Sequence, residues 1–131
     1  MKITSYTDDI REHWDWILPM LKRCDQHQIE PIDYITMKDD IEKRKALVIV
    51  ISDDEKPLVA SVVELNHNSI HVRLMAGEDM EQWLELMDTA LVQLAQIMKV
   101  KHITQLGRVG WSRSMKKLGW RHQLSQYSRA V

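Results

Sequence analysis

The chain has 131 residues, 44 % of them hydrophobic and 28 % charged, with few Gly and Pro, which suits one globular domain that builds its own core. A single cysteine, Cys24, excludes an internal disulfide and a multi-cysteine zinc centre, and no apolar run approaches the roughly 20 residues of a membrane-spanning helix. The net charge of −1 conceals a split: residues 1–88 carry all 19 acids against ten Lys and Arg, whereas residues 89–131 carry eight Lys and Arg and no acid.

Such a split marks either a surface for an anionic partner or two halves that neutralise each other across one fold. With no Phe, the core must come from aliphatic residues, eight Met and five Trp. Cys24 falls among apolar residues and reads as a buried, inert thiol. The first residues, Met1-Lys2-Ile3-Thr4-Ser5-Tyr6, lack a signal-peptide apolar segment, so the expected location is cytoplasmic, with no membrane partner.

Lys2–Thr7 alternates as a short strand. Asp8 and Asp9 then predict a helix start, with Glu12 three residues after Asp9 and Ile10, Trp14, Ile17, Leu18 and Leu21 at helical spacing. Pro19 is expected to kink or divide that helix. Pro31 suits the first turn of a second helix reaching about Lys45, with Ile32, Ile35 and Ile41 on its apolar side. Ala46–Ser52 is a β-branched run typical of a buried strand. Two polar turns, at 53–57 and 66–69, separate it from strands Leu58–Leu65 and Ile70–Ala76, giving an antiparallel meander. Glu78–Val100 carries Met80, Trp83, Leu84, Met87, Leu91, Leu94, Ala95 and Met98 at helical spacing. Lys101–Leu106 follows as a strand, Gly110–Leu118 as a short helix closed by Gly119, and Gln123–Ala130 as a last strand. The order β-α-α-β-β-β-α-β-α-β predicts an α/β mixed sheet in a single domain over 1–131, with helices on both faces and a parallel pair across the long helix.

This order resembles the GNAT acyltransferase fold over essentially the whole chain. Ser114-Met115-Lys116-Lys117-Leu118-Gly119-Trp120 is similar to the GNAT segment in which a small helix ends in Leu-Tyr-x-Lys-x-Gly-Phe before the final strand. Gly107-Arg108-x-Gly110-Trp111-x-Arg113 and Gln82-Trp83-Leu84-x-Leu86-Met87-Asp88 also resemble a group of small bacteriophage-encoded GNAT-like proteins. That resemblance implies a virus-encoded protein used in particle assembly or carried in the virion, in the host cytoplasm or the particle itself.

Two departures from the enzymatic pattern set the functional expectation. GNAT enzymes hold the coenzyme A pyrophosphate in a Gln/Arg-x-x-Gly-x-Gly/Ala loop between the fourth strand and the long helix, where glycines and free N–H groups meet the anion. Here that place reads Leu74-Met75-Ala76-Gly77-Glu78-Asp79-Met80. It has one glycine, and its two carboxylates would satisfy the N–H groups and repel a diphosphate by roughly 1 kcal/mol per close pair. The family's general-acid tyrosine aligns with Met115, which cannot donate a proton.

Other chemistry is thinner. Glu64 lies where a GNAT base could sit, although alternation reads it as a solvated sheet residue. His67 and His71 flank a turn without a third metal ligand in view, and His13, His27, His102 and His122 form no cluster. No serine sits in a nucleophile-elbow context. The segment richest in recognition chemistry holds Arg108, Gly110, Trp111, Arg113, Lys116, Lys117 and Trp120. Arginines and an indole at a helix start suit a phosphate, a carboxylate or a flat ring; equally, Trp111 and Trp120 suit core plugs under snorkelling arginines.

The expectation is therefore a catalytically degenerate GNAT-like module without a cofactor. It would bind a protein partner, such as a virion or assembly protein, through those seven residues, and a homo-oligomer is compatible. An acetyl-CoA-dependent N-acyltransferase is the alternative. A nucleic-acid binder is the second alternative, weakened because eight cations are spread over 43 residues; it would show affinity falling steeply with salt.

Overall fold

The computed structural model describes residues 1–27, 31–105 and 112–121. Its elements are β1 (Lys2–Tyr6), α1 (Trp14–Leu21), α2 (Tyr34–Glu42), β2 (Ala46–Asp53), β3 (Lys56–Leu65), β4 (Ser69–Gly77), α3 (Met80–Met98), β5 (His102–Gln105) and α4 (Ser112–Lys117). Single 3₁₀ segments at Ile10–Glu12 and Lys22–His27 flank α1. The strands form one sheet in the order β1-β2-β3-β4-β5, antiparallel except for the parallel β4–β5 pair. This is the expected mixed α/β architecture, and α3 supplies the crossover between the parallel strands. The expected strand Gln123–Ala130 lies outside the described residues.

Strand alternation divides the core in two. Leu47, Ile49, Ile51, Val59, Val63, Ile70, Val72 and Met75 face α3, which answers with Trp83, Leu84, Met87, Ala90, Leu91 and Ala95. Val48, Val50, Ala60, Val62 and Leu74 face the other way, against Ile10, Ile17, Met20, Leu21, Met37 and Ile41. Because both faces are covered, β2 reads as a continuous apolar run.

Several boundaries depart from the sequence reading, each for a local reason. Asp9 does not cap a helix: its carboxylate accepts from the Thr7 N–H at 2.9 Å, and Asp8 is held by Arg44 at 2.7 Å. The α-helix consequently starts at Trp14, after a 3₁₀ turn, and passes Pro19 without division before tightening at Lys22. Pro31 precedes α2 instead of opening it. The opening belongs to Asp33, whose Oδ1 accepts from the Thr36 N–H at 3.0 Å and whose Oδ2 accepts from the Thr36 hydroxyl at 2.7 Å. This frame buries Met37 and Ile41 and leaves Ile35 85 % exposed, so Ile35 is not on the apolar side. Arg44 in the left-handed region (φ 61°) ends α2 well short of a continuous helix to Lys45.

The β2–β3 turn is only Asp54-Glu55, both with positive φ, as a two-residue hairpin requires. Pro57 is already in β3, beside a register shift after Ile51 that tolerates its missing N–H. A second shift lets Val62 pair with Leu74 but Val63 with Val72, so Arg73 is an extra residue on β4. That bulge puts Leu74 on the α1–α2 face although Ile70 and Val72 face α3.

Candidate functional site

The place that the sequence singles out for a diphosphate is the corner where β4 becomes α3. Among the described residues, β5 pairs with β4 only over Ser69–Val72, and from the Arg73 bulge to Gly77 β4 is paired with β3 alone. The 3₁₀ segment after α1 lies against this stretch. There the Cys24 thiol donates to the Met75 carbonyl at 3.6 Å, and the Arg23 guanidinium stands 3.9 Å from the Glu78 carboxylate.

Gly77 has a packing role of its own. It pairs with Val59, and a Cβ there would come within 2.6 Å of the Leu58 carbonyl oxygen and 2.8 Å of the Val59 Cβ. The one glycine in the expected phosphate loop is thus required by the approach of β3. Only Glu78 and Asp79 then separate β4 from α3. Asp79 sits in the left-handed region (φ 52°, ψ 54°) and its side chain makes no capping bond. The sequence reading that these carboxylates occupy the helix N–H groups is corrected here: the Glu78 side chain is 81 % exposed, Asp79 is exposed, and both project to solvent. What fixes the corner is Trp83, 1 % exposed, whose indole N–H donates to the Glu78 carbonyl at 2.7 Å. Glu78, partly offset by Arg23, and Asp79 put negative charge at the helix start, where it complements the dipole.

On the other face of β4, Arg73 reaches Glu64 at 3.6 Å and Asp40 on α2 at 4.0 Å. Glu64 is therefore half-buried in an ion-pair group that ties α2 to the sheet, and not simply solvated. Beside it, His71 pairs with Glu64 across the strands, and its Nδ1 lies 2.7 Å from the Thr104 hydroxyl of β5. No cluster of three or more His, Cys, Asp or Glu among the described residues is arranged to hold a metal.

The C-terminal residues that the sequence singles out for recognition are placed unevenly. Lys116 and Lys117 are exposed on α4. Met115, Leu118 and Trp120 pack against the α3-facing core, and the Trp120 indole N–H donates to Asp88 of α3 at 2.7 Å. Gly119, at φ 94°, makes the turn that brings Trp120 back over the helix. Arg113 is in α4 with its side chain outside the described set, and Arg108, Gly110 and Trp111 lie outside the described residues altogether. Sequence reasoning missed the Trp83 anchor, the Arg73 bulge, and the arrival of Arg23 and Cys24 at the end of β4. Only the bulge left a trace: strict alternation runs from Ile70 to Leu74 and then fails, with Met75 and Ala76 following in an apolar row.

No helix among the described residues is long and apolar enough to cross a membrane. No protein-family model matches the chain, and no curated protein matches it. Solved structures do. A predicted acetyltransferase from Clostridium acetobutylicum, solved with acetyl-CoA, is similar with a TM-score of 0.74 at 10 % identity, over 98 % of this chain and 95 % of that one. An aminoglycoside acetyltransferase from an uncultured soil metagenomic sample matches with a TM-score of 0.71 at 9 % identity, over 99 % and 95 %. A ribosomal-protein-alanine N-acetyltransferase from Brucella melitensis biovar Abortus 2308 matches at 0.69 and 13 %, over the full length of both chains. At such identities the likeness speaks to architecture: the chain has the mixed α/β fold of the GNAT acetyltransferases.

Proposed function

We propose that this chain is a GNAT-fold protein that works by binding another protein and not by turning over acetyl-CoA. The observation that carries the proposal is the two-residue, doubly acidic connection between β4 and α3. A diphosphate needs a loop of backbone N–H groups with room for the anion. Here the one glycine is committed to the contact with β3, the Trp83 indole holds the Glu78 carbonyl, and Glu78 and Asp79 present carboxylates where the anion's charge would fall. Met115, at the position of the family's general acid, is drawn into the core and has no proton to give. The partner would be an acidic protein surface meeting Lys116 and Lys117, with Arg108, Gly110, Trp111, Arg113 and the outer edge of Trp120 completing the contact. The resemblance to phage-encoded proteins makes a virion or assembly component the partner of choice.

Calorimetry with acetyl-CoA tests this: no heat of binding at micromolar protein is expected, and micromolar affinity would overturn it. Pull-down from infected cells should recover an acidic partner in the wild type and lose it in a Lys116→Glu/Lys117→Glu variant.

The second reading, an acetyl-CoA-dependent N-acyltransferase, is favoured by the solved neighbours, one of which holds acetyl-CoA. In that reading Arg23, beside Glu78, is the described cation at the corner that could meet a phosphate. The same titration decides between them, since Arg23→Ala would weaken an affinity that the first reading says is absent.

A further inference from the structure

We propose that the outer edge of β1 docks a second copy of this chain, with the two β1 strands antiparallel about a twofold axis at Thr4. The proposal is independent of whether coenzyme A binds. β1 ends the strand order, pairing with β2 on one side alone among the described residues. Unpaired edges expose a row of N–H and C=O groups, and proteins that must stay single usually blunt them with bulges, prolines or inward charges. The β1–β2 register is unbroken from Lys2 to Tyr6, the strand has no proline, and its one charge, Lys2, lies at the strand's start. Ile3 along it is 40 % exposed, and Met1 just before it is 58 % exposed.

The self-complementarity of the strand selects this occupant. Complete overlap of five residues with five is reached in one antiparallel register, which sets Thr4 opposite Thr4, Ile3 opposite Ser5, and Lys2 opposite Tyr6. Thr4 and Tyr6 share the α1 side of the sheet, because they pair with Val50 and Val48, and alternation puts Lys2 there too. Each Lys2 ammonium then meets the ring of the partner's Tyr6, with the partner's Asp9 and its Arg44-paired Asp8 just beyond it. The ring is already held in place: Tyr6 packs on His13 at 4.4 Å and edge-on against Trp16 at 5.8 Å between centroids. A basic strand start and an aromatic, acidic strand end in every copy suit an isologous contact.

Light scattering on the full chain tests the contact. The wild type should weigh twice its 15.5 kDa. Thr4→Lys and Thr4→Glu each place like charges at the axis and should return single chains, while an equimolar mixture of the two should recover the double mass. If circular dichroism shows either variant unfolded, Lys2→Glu replaces it, setting a carboxylate beside the partner's Asp8 and Asp9; it should also give single chains. A wild type that stays at one chain mass throughout a concentration series overturns the proposal, and so does a dimer that Thr4→Lys or Lys2→Glu leaves intact.

Discussion

Helices α2 and α3 both begin after an aspartate, and the two aspartates do opposite things. Asp33 is extended (φ −85°, ψ 91°), and its carboxylate closes on Thr36 through both the backbone N–H and the hydroxyl. Asp79 is left-handed, and its exposed side chain makes no capping bond at the helix start. The difference follows from what else each helix has to hold on to. α2 buries only Met37 and Ile41, so its start depends on local hydrogen bonds. α3 buries six side chains along one stripe and is anchored by indoles, Trp83 to the Glu78 carbonyl and Trp120 to Asp88. A start that leans on tertiary packing leaves the Asp79 side chain without a capping role.

Removing the packing should therefore break α3 where removing its aspartate does not. Trp83→Ala should cost about 3–5 kcal/mol, the range for deleting a fully buried aromatic side chain, measured by denaturant unfolding. Trp83→Phe keeps most of the volume and loses the bond to Glu78, so about 1 kcal/mol of that loss should remain. A Trp83→Ala protein as stable as the wild type would mean that the corner is held by something else. At the far contact, Trp120→Phe should cost about 1–2 kcal/mol and expose α4 to proteolysis before the rest of the chain, because one charge-assisted bond joins Trp120 to α3.

The contrast between the two helices was partly legible in the sequence. Their existence and order were, since helical spacing in residues 80–98 and β-branching in residues 46–52 are strong signals. The choice of cap was not. Asp8, Asp9, Asp33 and Asp79 are chemically alike, and only Asp33 has a threonine three residues on whose N–H and hydroxyl are both free to be bound. Gly77 was visible as a glycine, but the contact that demands it comes from Leu58 and Val59, which are distant in sequence. The acidic corner was found by resemblance, and its meaning then changed: the carboxylates were expected to fill the helix N–H groups, and in the fold they point outward. The basic, Trp-containing segment from Arg108 to Trp120 was legible as composition, whereas the inward turn of Trp120 depends on Gly119 and on Asp88, a residue on another helix.

The smallest effects compare the aspartates directly. Asp33→Ala should lower amide protection in α2 while Asp79→Ala leaves α3 unchanged, measured by hydrogen exchange. Asp79→Gly should even help, since glycine takes a positive φ without strain. Acid should act as Asp33→Ala does. The Thr36 N–H first, and the Thr36 hydroxyl second, hold the Asp33 carboxyl below its ordinary value of 3.8. The folded state thus prefers the ionised form: the contribution is complete above the ordinary value and is lost as pH falls through the lowered one. Arg44, by hydrogen bond and then by charge, with Thr7 between, lowers Asp8 in the same direction. That pair is more than half exposed on both sides, so salt should weaken it. In high salt the acid-side loss of protection in α2 should therefore persist in the wild type and disappear in Asp33→Asn, whose amide oxygen still accepts from Thr36 and does not titrate in this range. An Asp33→Asn protein with an unchanged acid profile would show that α2 is held, as α3 is, by its buried face.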